Sequence, residues 1–521
     1  MSIRIETSNG VVLGGSEGGV HSFKGIPFAQ APLGELRLAA PLPPTAWLNE
    51  RPCESFGPIS LQHIDPLSVM IPGCEWNFYS PGSRQSEDCL NLNVWTQGSS
   101  GSRPVLFWIH GGAFLAGSGT GAWSDGTEFA KLHDVVVVTV NYRLGALGFL
   151  AIGDDARSSG LACNVGLLDQ IRALTWVQEN IEAFGGDPDR VCIFGESAGA
   201  MSVATLMGVP LAEGLFSRAI VQSGHCNALQ NMSEALAVSE RFLSHLGVPI
   251  DNAMGVLRSK NYDSLLSAQE FVAAGAPVPF RMVVDGEIVP RAPIESIASG
   301  LMSSVPLLIG TNTDENTLFR RMGWGPGKSN GDLIDRVQSL VAGETADGRR
   351  RELVSELLDL YANESGDTDD IWDVITTDRM WRVPAREMMN AHALAGGPVY
   401  AYEFALPSPV RNGEFGACHA MEIPFVFGNL DQMGVNEFVG DDLGQGTPAR
   451  AVSDQMNRSW AEFAAAGVPR GPNGSGWDRY SMANEKQMHF GADIHLRRDP
   501  HSERLSWWNE HAHEIVPWGI S

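Results

Sequence analysis

Apolar residues along this chain fall into two rhythms. The runs VLFWI (Val105–Ile109), VVVVTV (Val135–Val140) and VCIFG (Val191–Gly195) are continuously apolar and rich in β-branched residues. Such runs predict strands covered on both faces. Further strands are expected in LFSRAIVQSG (Leu215–Gly224), VPLLIG (Val305–Gly310) and VYAYEFAL (Val399–Leu406). Between Gly166 and Phe184 the apolar positions recur every three or four residues, which predicts an amphipathic helix. The first hundred residues are choppier, with short β-like pieces such as FKGIPFAQAP (Phe23–Pro32) and LNLNVW (Leu90–Trp95) between Pro and Gly turns.

Strands alternating with helices predict an α/β fold with a central, mostly parallel sheet and helices on both faces. Residues 225–300 and 320–395 read as helical insertions walling a cleft within a single domain spanning 1–521. The stretch SGTGAWSDGT (Ser118–Thr127) reads as a surface or cleft-edge loop. The segment Arg504–Val516 reads as an amphipathic helix, with Leu505 and Trp508 turned inward onto its own core.

Composition narrows the function. Hydrophobic residues make up 43% of the chain, enough for a large core. A net charge of −25 argues against nucleic acid or an anionic membrane as partner, because both need a basic face. No apolar run approaches the roughly 20 residues of a membrane span. The N-terminus has no basic region followed by an apolar stretch, so no export signal is expected. The seven cysteines form no CxxC pair, which argues against a zinc or redox centre. Cys192 lies in an apolar strand and reads as a small buried hydrophobe. These features fit a cytoplasmic protein that is a monomer or small homo-oligomer and acts on small molecules.

One decapeptide carries chemistry. VCIFGESAGA (Val191–Ala200) is a buried strand running through G-x-S-x-G into a small-residue helix start. That is the nucleophile-elbow pattern, with Ser197 exposed on a tight strand-to-helix turn. A serine nucleophile needs a base, an acid to orient the base, and donors for the developing oxyanion. WIHGGAF (Trp108–Phe114) follows a buried strand and can supply donors, the amides of Gly112 and Ala113. The amide of Ala198, next after the serine and at the helix N-terminus, is a third.

Many ordered motifs then coincide with one family. They include FKGIPFA (Phe23–Ala29), LGELR (Leu33–Arg37), SEDCLNLNVW (Ser86–Trp95), NYRLGALGFL (Asn141–Leu150) and NVGLLDQ (Asn164–Gln170). FGGDP (Phe184–Pro188), VVDGEIVP (Val283–Pro290), GTNTDE (Gly310–Glu315) and GACHAMEIPFVFG (Gly416–Gly428) continue the match. The chain resembles the type-B carboxylesterases, the family of cholinesterases, animal carboxylesterases and bacterial p-nitrobenzyl esterases. The resemblance implies an α/β-hydrolase fold and a serine carboxylesterase that needs no cofactor or metal. It implies His419 as base and Glu315 as acid, with Asp314 the rival carboxylate. It also implies buried ion pairs Arg37–Glu87 and Arg143–Asp169. His110 reads as structural and Ser223 as a candidate supporting residue, while Glu196 stays open between tuning the histidine, ordering water and simply hydrogen-bonding beneath the cleft.

Three departures stand out. Exported relatives pair the EDC cysteine with one upstream, but here Ser60 occupies that place, so no disulfide from Cys89 is expected; Cys74 sits at the wrong offset to replace it. An LRF-type motif reads LRL, ending at Leu38, and Asn316 stands where a glycine is common after the acid. Trp76, Phe78, Phe114 and Phe319 suggest an apolar cleft suited to short- and medium-chain alkyl or aryl esters, although each taken singly reads first as core or wall packing. The position of Trp76 does not match the choline-binding tryptophan. Three alternatives stay open: a dedicated catabolic hydrolase of a carbamate, amide or toxin ester, a lipase, and a non-catalytic binding protein on this fold.

Overall fold

The computed structural model describes residues 2–63, 75–80, 82–152, 163–249, 253–274, 278–323, 333–342, 347–364 and 367–516. The N-terminal strands β1 (Ile3–Thr7), β2 (Gly10–Glu17) and β3 (Val20–Pro27) form an antiparallel ribbon, with the short β4 (Arg51–Pro52) beside β2. Antiparallel β5 (Asn91–Thr96) joins this ribbon to β7 (Val136–Val140). From β7 the sheet is parallel through β6 (Arg103–Ile109), β8 (Gly186–Glu196) and β9 (Arg218–Gln222). A two-residue pair, β10 (Gln230–Asn231) with β11 (Val283–Val284), stands apart. The main sheet continues through β12 (Leu307–Asn312), β13 (Val399–Phe404) and β14 (Lys486–Phe490), and closes on antiparallel β15 (Ile494–Arg498). Its order is β1-β2-β3-β5-β7-β6-β8-β9-β12-β13-β14-β15.

The period-2 alternation of a strand splits each apolar run between two cores. Val105, Phe107 and Ile109 of β6 join Val136, Val138, Val191 and Ile193 on one face. Leu106 and Trp108 join Val137, Cys192 and Phe194 on the other. Helices Val165–Asn180 and Ala198–Leu206 cover the first face, and helix Pro448–Ala466 covers the second. Each fully buried Val, Leu, Ile or Phe contributes about 1.5–3 kcal/mol, so a charge at Val138, buried on β7, would break the sheet centre.

Residues 225–300 contribute helices Met232–Leu246, Ala253–Ser259, Tyr262–Ala273 and Pro293–Ala298. Residues 320–395 contribute four more α-helices, among them Thr368–Thr377 and Val383–Leu394. Part of this second set forms its own core, with Leu353, Tyr361, Trp372 and Ile375 packed on Trp508. Trp508 belongs to the C-terminal helix Ser502–Glu510, which buries Leu505 and Trp508 as expected but stops six residues short of Val516. The stretch Ser118–Thr127 departs from expectation, because it is mostly buried. Asn93 and Asn141 bind both sides of Gly119, and Trp123 is 1% exposed.

Both implied ion pairs form. Arg143 Nε and Nη2 grip Asp169 at 2.8 and 2.6 Å in full burial. Arg37 holds Glu87 with its Nε at 2.7 Å, and its Nη1 donates to the carbonyls of Leu257 and Lys260. This pair is only partly buried. Cys89 is buried and free, within hydrogen-bonding reach of Ser60, and burial pushes its thiol up to about 12. Cys74 lies outside the described residues.

Candidate active site

The site collects at the carboxyl ends of β6, β8, β12 and β13, where parallel sheets leave a crevice. β8 ends at Glu196, and Ser197 turns the chain with φ 55° and ψ −123° into helix Ala198–Leu206. That left-handed geometry is unfavourable for a non-glycine residue, and close packing holds it. A methyl at Gly195 would sit 2.6 Å from the Ile109 carbonyl, and one at Gly199 would collide with the same oxygen. The elbow therefore needs both glycines.

After β6 the chain turns through Gly112, Ala113 and Phe114, at φ +107°, +55° and +59°. The amides of Leu115 and Ala116 both donate to the Gly112 carbonyl at 2.9 Å. No acceptor among the described residues takes the N–H of Gly112, Ala113 or Ala198. Gly111 has no room for a side chain, since a methyl would meet Glu196 Oε2 at 2.8 Å. Phe114 packs in the core. Its ring is fully buried, 4.9 Å from Phe149, and its carbonyl accepts from Gly145, so it anchors the turn instead of lining the cleft.

His110 stacks on Tyr142 with centroids 4.4 Å apart, and its Nδ1–H donates to the Gly111 carbonyl at 2.8 Å. Burial pushes its pKa down to about 4, so it stays neutral and braces the turn.

The acid and the histidine meet across the sheet end. His419 Nδ1 lies 2.6 Å from Glu315 Oε2, and the Asn312 amide donates to Glu315 Oε1 at 2.8 Å. Asp314 points elsewhere and accepts from the Ala417 amide at 2.8 Å, bracing the histidine loop. Glu315 opens the helix Glu315–Arg321. The unusual Asn316 is accommodated, with its side chain donating to Asp373 at 3.3 Å and its amide donating to Thr377.

His419 Nε2 makes no hydrogen bond, to Ser197 or otherwise, and lies 3.1 Å from Glu196 Oε1. Burial lowers the pKa of His419, but the charges of Glu196 and Glu315 outweigh it and raise it to about 9. Burial raises Glu196 well above the usual carboxylate range, and it raises Glu422 as well. Glu422 accepts from Asn312 at 2.8 Å and Gln222 at 3.2 Å. Ser223 is fully buried at φ 50°, and its hydroxyl has no hydrogen-bond partner.

Ser197, His419 and Glu196 line one cavity of about 280 Å³, together with Gly112 and Ala113. Phe78 and Phe319 line it, as the sequence suggested. The side chain of Trp76 lies outside the described residues. Met322, Ile423, Phe438 and Gln269 also line the cavity and were not foreseen, and Trp123 lines it from the stretch read as surface or cleft edge. Among the described residues no lysine or arginine does.

A strained serine on an elbow, an unbonded row of amides and a carboxylate–histidine pair, all around one apolar cavity, define a carboxylic-ester hydrolase of the α/β-hydrolase fold. The chain belongs to the carboxylesterase family, whose profile matches residues 2–508. It is 35% identical to the para-nitrobenzyl esterase of Bacillus subtilis (strain 168) over 508 residues, covering 96% of this chain and 97% of that protein. It is also 35% identical to a phenmedipham hydrolase of Pseudarthrobacter oxydans, covering 89% and 90%. Among solved structures, a PNB esterase superposes with TM-score 0.83 at 34% identity. A Geobacillus stearothermophilus carboxylesterase superposes with TM-score 0.79 at 38% identity. Each covers 97% of this chain and is itself 99% covered.

Proposed function

We propose that this enzyme hydrolyses short- to medium-chain alkyl or aryl esters through an acyl-serine intermediate. The 2.6 Å contact of Glu315 with His419, which lines the same cavity as Ser197, carries this reading. Ser197 attacks the ester carbonyl as His419 Nε2 takes its proton. That bond is absent in this structure and forms on substrate binding, as catalytic contacts commonly tighten in the complex. Glu315 orients the imidazole and stabilises its charge. The amides of Gly112, Ala113 and Ala198 receive the oxyanion, each contributing about 3 kcal/mol. The alcohol leaves with the proton from His419, and a water activated by the same nitrogen releases the acid.

The apolar walls, with no lysine or arginine among the described residues that line the cavity, favour uncharged esters over anionic ones. The likeness to a phenmedipham hydrolase keeps a dedicated catabolic substrate as a second reading. The buried free Cys89 beside Ser60 supports a cytoplasmic setting. The test is turnover of p-nitrophenyl acetate through decanoate by wild type and Ser197→Ala. Wild type should favour the short and medium chains, and the variant should lose about 10⁴-fold or more in kcat. Equal turnover by both would refute the serine mechanism, and a maximum at the longest chain would refute the substrate range.

A further inference from the structure

Asp378–Arg382 forms a π-helical turn between helices Thr368–Thr377 and Val383–Leu394. Its cause is local. Pro384 has no N–H, so the carbonyl of Met380, four residues earlier, loses its α-helical donor. The Val383 amide instead reaches back five residues to the Asp378 carbonyl. The buried ring of His225, just beyond β9, lies near the freed Met380 carbonyl. Such turns are frequent at functional sites.

The turn presents two consecutive side chains to the active-site loops. The Trp381 ring lies 4.5 Å from that of His419, and it stacks within 10° of Phe319, which itself lies 4.8 Å from the histidine. Arg382 Nη2 donates at 2.6 Å to the carbonyl of Thr313, two residues before Glu315. Arg382 is held in turn by Asp378 at 2.6 Å and by Glu403 at 3.7 Å. Neither Trp381 nor Arg382 lines the cavity.

We propose that the π turn is the positioning element of the catalytic pair, with Trp381 fixing the ring plane of His419 and Arg382 fixing the loop that carries Glu315. This rests on the roles given above to His419 and Glu315. Trp381, backed by Phe319, supplies an apolar wall to an imidazole that also faces the carboxylates of Glu315, Glu196 and Glu422. A ring free to tilt meets Ser197 less often, and a displacement of about 1 Å can cost about 10²-fold in rate.

The test compares Trp381→Leu, Trp381→Phe and Pro384→Ala for kcat, KM, thermal midpoint and the pH profile of kcat/KM. Trp381→Leu should lower kcat about 30-fold with KM held within about twofold. Its acid limb should move to higher pH, because water reaches the imidazolium. Trp381→Phe should recover most of kcat. Pro384→Ala restores a competing donor to the Met380 carbonyl and should lower kcat about fivefold, again with KM held. Wild-type kcat and an unmoved limb in Trp381→Leu would overturn the proposal. If that variant does not fold, wild-type kcat and pH profile in Pro384→Ala would overturn it. Activity persisting in Ser197→Ala would instead refute the underlying site.

Discussion

Two buried clusters of charge flank the ends of β12 and β13, and they are built on opposite plans. The first holds Glu315, Glu196 and Glu422 around a single imidazole, His419, with only the amides of Asn312 and Gln222 as further support. The second holds Asp378 and Glu403 among Arg382, Arg497, Arg504, His489 and His501. In the second, burial pushes Glu403 up, but hydrogen bonds from His489 and His501 and the Arg382 charge hold it well below the usual carboxylate range. In the first, burial keeps Glu196 and Glu422 raised. A balanced cluster keeps its protons fixed and can brace the fold. An unbalanced one keeps a proton within reach of several groups, which is what acid–base chemistry needs.

The largest break is expected from Glu315→Gln. The amide can orient His419 in the wrong tautomer and cannot stabilise its charge, so kcat should fall about 10⁴-fold. Asp314→Asn should cost less than about tenfold, because Asp314 touches the Ala417 amide and not the imidazole. Comparable losses in the two variants, measured with p-nitrophenyl acetate, would undo the assignment of the acid.

Next is the balanced cluster. Glu403→Gln leaves buried Arg382 without one of its two counter-charges and should cost about 3 kcal/mol of stability, read by denaturant unfolding at pH 7. The sign with pH follows from the depressed pKa. The Glu403 contribution is complete above the unfolded value of about 4.3 and is lost as pH falls through the folded value. The gap between wild type and variant should therefore close on acidification. A gap that widens, or that never existed, would show the cluster is not balanced by Glu403.

How much of this could be read from the sequence depends on how far apart the partners lie along the chain. The elbow around Ser197 and the turn at Gly112 are legible because strand, glycines and reactive group are contiguous. Glu315 and His419 lie 104 residues apart, so only their family motifs join them. The cleft walls were read in part. Phe78 and Phe319 line the cavity, but Phe114 turns into the core, and Trp123 lies in a stretch read as surface or cleft edge. Met322, Ile423 and Phe438 come from separate elements, and nothing in their neighbours marks them as cavity residues. The π turn left one trace, Pro384 inside a helical pattern, but its contact with His419 depends on tertiary packing.

The smallest change, Glu196→Gln, separates the two clusters most finely. One proton suffices for the pair Glu196 and His419. On Glu196 it relieves the cost of burying a carboxylate, and on His419 it makes an ion pair with Glu315. In wild type, kcat/KM should rise with pH as the imidazolium loses its proton, along a limb centred on the folded value of about 9. The raised pKa also means that His419 adds stability that is complete below about 6.5 and lost as pH rises through about 9. Removing the Glu196 charge takes away a force that favours the imidazolium, so the limb should move to lower pH. Stability at pH 8 should not fall, because a buried carboxylate that resists ionisation is being replaced by a neutral amide. The same Glu→Gln change thus weakens the fold at Glu403 and spares it at Glu196. An unmoved limb would show that Glu196 carries no charge against His419, and a loss of stability matching that of Glu403→Gln would show that it is held charged by partners; either result would end the contrast between the clusters.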